Sequence, residues 1–183
     1  MSKLKLFIVS LLVATGGFLT NIYLHRPKEG PKLVHVGNDV SVTSQLKPED
    51  VRWLRREGTR TLVDIRPDGE AKDQTPSSEI KASAERYGLR FHYIPVPHEG
   101  IPNDAVNALG QALSAEAMPA VLYCRTGRRA VRLFALVEAS RADGPSAEAI
   151  LGMVRTTGFS ADDLKGEIAQ RLSQRQSEST AHP

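Results

Sequence analysis

Strand-like and helix-like segments alternate without a break from Val40 to Arg141, and no other feature of this chain constrains its fold as strongly. Residues 33–36 and 40–42 are short β-type runs separated by the turn signal Gly37-Asn38-Asp39. Pro48-Glu49-Asp50 opens a helix that Gly58 stops, with proline and acids where a helix start favours them. Thr-Leu-Val-Asp-Ile at 61–65 is β-branched and apolar, as suits a strand buried on both faces. A helix over 77–87, a strand over 91–96, a helix from Asn103 to about Ala115 and a strand over 120–123 follow. Residues 130–141 then place Val131, Leu133, Phe134, Leu136 and Val137 at helical spacing, and two more helices start near Ser146 and Ser160. Alternation of this kind predicts an α/β fold: a three-layer sandwich around a central, mainly parallel sheet of four to five strands. Ligands of such folds sit beyond the carboxyl ends of the strands. Cys124 follows the last strand directly and falls at that edge.

The two ends of the chain read differently. Lys3 and Lys5 precede residues 6–24, which carry no charge. As a helix this run would extend roughly 28 Å at about 1.5 Å per residue, close to the thickness of a bilayer's hydrocarbon core. Residues 1–25 are therefore expected to be a membrane anchor. A cleaved signal peptide is the alternative, although Ala14-Thr15-Gly16 is a poor cleavage site and the apolar run continues past it through Phe18, Leu19 and Ile22. Residues 26–32 read as a solvated tether, 33–172 as the folded domain, and 173–183, polar with no aliphatic residue larger than alanine, as a disordered tail. A short N-terminal tail usually stays inside, which predicts a single-pass protein of a bacterial inner membrane with its domain in the periplasm. Arg26, Lys28 and Lys32 beyond the span oppose that orientation and leave the cytoplasmic one open.

Several classes of function are excluded. A single cysteine permits neither an internal disulfide framework nor a Cys-rich metal site. The five histidines show no metal-ligand spacing, so no metal is expected, and the chemistry expected at the cysteine implies no cofactor. The net charge of +3 comes from scattered basic residues without an aromatic-rich basic stripe, which argues against nucleic acid as a partner.

Local charge is another matter. Tyr-Cys-Arg-Thr-Gly-Arg-Arg at 123–129 joins a strand to a helix through one glycine. The first amides of a helix have no internal partners and, with the helix dipole, form an anion site. Gly127 permits the tight curl that turns amides inward. A thiol in that concavity among Arg125, Arg128 and Arg129 is expected to ionise more readily than usual and to act as a nucleophile beside an oxyanion site. The plainer alternative is a buried structural cysteine with solvated arginines at a helix start.

Taken with three further motifs, this loop resembles the beta-lactamase-hydrolase-like, phosphatase-like domains, bacterial relatives of the dual-specificity cysteine phosphatases. The resemblance runs from about Val40 to Leu172. It rests on Cys-Arg-Thr-Gly-Arg-Arg, on Val42-Thr43-Ser44-Gln45-Leu46, on Asp64-Ile65-Arg66-Pro67-Asp68-Gly69-Glu70 and on Ile94-Pro95-Val96, in that family's order. It implies a cysteine-phosphatase-like fold and a thiolate hydrolase of phosphate esters that passes through a cysteinyl-phosphate. Cys124 would be the nucleophile. Arg129 and the loop residues Arg125, Thr126, Gly127 and Arg128 would hold the phosphate oxygens. The acid for the leaving group would lie on the loop 97–104, where Asp104 is the best chemical type and His98 and Glu99 are substitutes; Asn103-Asp104 also reads as a helix cap. Read from the residues themselves, Asp64, Arg66, Asp68 and Glu70 form a second polar cluster at a strand end facing the same rim. Arg66 and Glu70 are expected as ion pairs bracing the cysteine loop, with direct contact with substrate as the alternative.

Two departures keep a rival open. Cysteine phosphatases usually carry their arginine at the sixth position after the cysteine, followed by Ser or Thr. Here Arg129 comes one position early and the sixth position is Ala130. A loop of that length is also the size seen in rhodanese-like sulfur transferases, and some relatives are described as such. The partner is thus a phosphorylated or a sulfur-bearing substrate, and a non-catalytic anion-binding module is the third reading.

Overall fold

The computed structural model describes residues 29–37 and 39–181. The expected anchor at 1–25 and the first tether residues lie outside the described residues. Among the described residues no helix is long and apolar enough to cross a membrane.

The first two strands, β1 (Val34–Gly37) and β2 (Val40–Thr43), form an antiparallel hairpin. Then come α1 (Pro48–Arg56), β3 (Thr61–Asp64), α2 (Ser77–Arg86), β4 (Arg90–Tyr93), α3 (Asn103–Ala112) and β5 (Ala120–Tyr123). Three helices close the chain: α4 (Arg128–Ser140), α5 (Ala147–Thr156) and α6 (Lys165–Ala181). The sheet order is β1-β2-β5-β3-β4, and every pairing after the hairpin is parallel. This is the expected sandwich, with five strands.

Register decides where the site lies. Thr43, Tyr123, Asp64 and Tyr93 stand side by side as the last residues of the four parallel strands. The chain leaves the central strand β5 at Cys124, in the middle of that edge. Side chains alternate across the sheet. Leu122, Val63 and Ile65 pack under α3 to α6, while Val121, Tyr123 and Leu62 pack under α1 and α2 with Val51, Leu54 and Ile80. Each fully buried aliphatic contributes about 1.5–3 kcal/mol relative to exposure. In α4 every residue from Ala130 to Ala139 except Arg132 is buried. The helix that opens at the cysteine loop is a core helix: Ala130 and Val131 of its first turn are buried, while Arg128 and Arg129 face the cleft.

Two expectations need correction here. α3 ends at Ala112, earlier than Ala115, and a short 3₁₀ turn at Ala115–Ala117 leads into β5. The stretch 173–183, expected to be disordered, is helical as far as Ala181. Long polar side chains rather than aliphatic ones hold it. Arg175 donates to the carbonyls of Arg141 at 3.0 Å and Pro145 at 3.1 Å, next to the end of α4, where carbonyls lack helical partners. Arg171 is paired with Glu167 at 2.8 Å and donates to Ser140 Oγ at 3.0 Å.

Candidate active site

Gly127 is the residue that shapes the loop. Its φ of +93° lies in the left-handed region, and a Cβ there would stand 3.3 Å from the Thr43 carbonyl oxygen and against Phe159. The turn aims the Gly127 N–H at Cys124 Sγ, 3.2 Å away. Gly127 caps α4, so this amide is one of the orphan donors at the positive end of that helix. On the outer side, Gln45 N–H donates to the Arg125 carbonyl at 3.3 Å and ties the loop to the segment after β2. Cys124 itself is 1% exposed. It lies at a cleft of about 160 Å³ whose walls include Val96, His98, Ile101, Thr126 and the guanidinium-bearing Arg125, Arg128, Arg129 and Arg132. That is below the roughly 300–1,000 Å³ of whole small-molecule sites, and suits one anionic group with the remainder of a substrate outside.

A largely buried ion triad backs the loop. Glu70 accepts from Arg129 Nη1 at 2.6 Å and Nη2 at 2.7 Å, and from Arg66 Nε at 2.9 Å. Arg66 reaches on to Gln45 Oε1 at 3.0 Å, and Arg129 to the Val96 carbonyl at 2.7 Å. The hydrogen bonds from Arg129, with help from Arg66, outweigh the effect of burial and hold the Glu70 carboxyl down to about 2. Burial works against the charge on Arg129, but the Glu70 carboxylate and the Cys124 sulfur outweigh it and raise its pKa. A permanently charged guanidinium therefore sits between a fixed carboxylate and the cysteine.

Residues 32–141 match the family model for the phosphatase-like domain of beta-lactamase hydrolase-like proteins. The chain belongs to that family. It is 28% identical over 107 residues to the beta-lactamase hydrolase-like protein of Xylella fastidiosa strain Temecula1, covering 58% of this chain and 25% of that protein. It is 29% identical over 108 residues to the one from Agrobacterium fabrum, covering 59% and 25%. The chain thus matches about a quarter of the length of these curated relatives. Among solved structures, the core catalytic domain of a PP-IP phosphatase from S. cerevisiae superposes with a TM-score of 0.60 at 16% identity, over 85% of this chain and 97% of that one. A kinase associated phosphatase with its catalytic-site cysteine substituted by serine superposes with a TM-score of 0.63 at 12% identity, over 80% and 98%. At such identities the likeness shows the fold.

Not every residue expected in the site of this phosphatase-like domain is found there. Asp104 is exposed, accepts from the Ala105 N–H of its own helix at 2.8 Å, and does not line the cleft. Its place is the first turn of α3, where a carboxylate faces orphan amides. Asp68 accepts from Ser77 N–H at 2.8 Å and Ser77 Oγ–H at 2.6 Å, and so braces the start of α2 instead of the cysteine loop. Asp64, from the same motif, is fully buried below the edge, where burial above all pushes its carboxyl up to about 6 against the Arg66 N–H that donates to it at 2.9 Å. Two partnerships escaped sequence reasoning. Arg132 lines the cleft but is committed to Asp163, at 2.6 and 2.5 Å. His98 stands on the cleft wall with Nε2 3.4 Å from Glu70 Oε1. Among the described residues no group of His, Cys, Asp and Glu could hold a metal ion.

Proposed function

We propose that this phosphatase-like domain hydrolyses phosphate monoesters by covalent catalysis at Cys124. The observation that carries the reading is the Gly127 N–H directed at Cys124 Sγ at the mouth of α4, with Arg129 held alongside by Glu70. In the proposed reaction Cys124 Sγ attacks phosphorus, the ester oxygen departs, and water then cleaves the sulfur–phosphorus bond. The α4 amides and the Arg129 guanidinium stabilise the charge on the equatorial oxygens, where preorganised donors contribute most. Arg66 and Glu70 act through Arg129 by fixing its plane. The domain is further proposed to be held at a bacterial inner membrane by an anchor over residues 1–25, a reading supported by the uncharged run at 6–24. It is proposed to face the periplasm, which the short tail with Lys3 and Lys5 before that run supports. The direct test is turnover of phosphate monoesters by the Cys124→Ser protein. A serine oxygen at this position stays protonated, so activity falls to background; retention of more than a few per cent contradicts the reading.

A second reading, persulfide transfer through Cys124, is favoured by one observation. Arg129 follows the cysteine at five positions instead of six, giving a smaller ring of amides. Uptake of sulfur from thiosulfate in preference to turnover of any phosphate ester would establish it.

A further inference from the structure

A phosphate ester of an ordinary alcohol needs a proton on its departing oxygen, since an alkoxide leaves poorly. The carboxylates near the cleft do not supply it. Glu70 has both oxygens occupied by Arg129 and Arg66 and stays ionised. Asp163 is bound to Arg132, Asp104 lies off the cleft on its own helix, and Glu99 is exposed and does not line the cleft. Guanidinium groups do not release protons in proteins. Among the described residues lining the cleft, the one remaining side chain of a general-acid type is His98.

The geometry points to His98 as the proton donor to the leaving group, on the reading that Cys124 attacks a phosphate ester. Its imidazole lies on the loop after Val96, on the same cleft as Cys124, with Nε2 3.4 Å from Glu70 Oε1. An imidazolium has two N–H groups. Nε2 stands nearest the fixed Glu70 carboxylate, whose charge attracts the imidazolium, and the other N–H is proposed to serve the departing oxygen. The side chain is 69% exposed, so bulk water can restore the proton between turnovers. As the Cys124 sulfur bonds to phosphorus, the phosphorus–oxygen bond breaks and the imidazolium proton passes to that oxygen; the alcohol departs neutral. The neutral imidazole then takes a proton from the attacking water, phosphate leaves, and the Cys124 thiolate and the imidazolium are regenerated.

The test uses the full chain with two substrates, an alkyl phosphate and p-nitrophenyl phosphate, whose phenolate leaves unaided. His98→Asn and His98→Gln should each lower kcat on the alkyl ester about 100-fold, with KM unchanged, and reduce turnover of the aryl ester only a few-fold. The second variant guards against a folding defect peculiar to the first. Equal losses on both esters, or none on either, overturn the role of His98 while leaving Cys124 catalysis standing. The same selectivity in Glu99→Gln, with His98 variants unaffected, also overturns it. Failure of the wild-type chain to hydrolyse either ester, with sulfur taken up on Cys124 from thiosulfate, overturns both this inference and the reading beneath it.

Discussion

Arg129 and Glu70 are joined by two parallel hydrogen bonds, Nη1 to Oε1 at 2.6 Å and Nη2 to Oε2 at 2.7 Å, across 59 residues of sequence. A forked pair of this kind fixes the guanidinium plane as well as its charge.

Removing the charge on Glu70 releases that plane. Glu70→Gln should lower kcat on phosphate esters about 10- to 100-fold, as for a positioning group one step from a transition-state donor. It should also destabilise the fold by about 1–3 kcal/mol by leaving two guanidinium groups poorly paired. The pH dependence has a definite sign. The Glu70 carboxyl is held at about 2, below its ordinary 4.5, so its contribution is complete above 4.5 and lost as pH falls through 2. Urea denaturation across that range checks this: the acid loss should be smaller in Glu70→Gln than in the wild type.

Asp64 predicts the opposite slope. Its carboxyl is raised from 3.8 to about 6, chiefly by burial. The folded state therefore favours the protonated form, and stability declines as pH rises from about 4 through 6. The shift corresponds to about 3 kcal/mol at most. Asp64→Asn keeps an oxygen for the Arg66 N–H and removes the ionisation. The variant should be more stable than wild type above pH 6, measured by thermal or urea unfolding; equal or lower stability there contradicts the account of that buried carboxyl.

Gly127→Ala places a methyl group at a positive φ and 3.3 Å from the Thr43 carbonyl oxygen. Backbone strain of about 1–3 kcal/mol is the expected loss in unfolding free energy. Activity should fall with it, because the amide that faces Cys124 Sγ is the one displaced. A variant with wild-type kinetics would mean that this turn is dispensable.

Asp104→Asn should leave turnover of alkyl and aryl phosphates unchanged and alter stability by less than about 1 kcal/mol, as for a residue in a helix's first turn. A leaving-group-dependent loss in this variant would place the carboxylate in the chemistry after all.

The extent to which this domain can be read from its sequence follows the range of the interactions involved. The strand at 61–65 and the helix at 130–141 were legible because both are buried almost throughout, so their apolar pattern is continuous. Cys124, Gly127 and the start of α4 lie within a few residues of one another, and local backbone chemistry suffices to bring them together. The partnership of Arg129 with Glu70 depends on β5 lying next to β3, which pattern alone does not reveal. Asp104 misled because an acid at a helix start satisfies the helix as readily as it would a substrate. The continuation of the last helix beyond Leu172 was missed because Arg175 holds it through hydrogen bonds to carbonyls, and that stretch carries no apolar stripe to recognise.

The central claim is a covalent phosphoryl group on Cys124. The most direct measurement is intact and peptide mass spectrometry of the chain quenched in acid during turnover of an aryl phosphate. The account predicts one phosphoryl adduct on the peptide that contains Cys124, absent from Cys124→Ser. An unmodified cysteine at steady state with phosphate being released, or a mass gain of one sulfur on exposure to thiosulfate with no phosphoryl adduct under any condition, would contradict it.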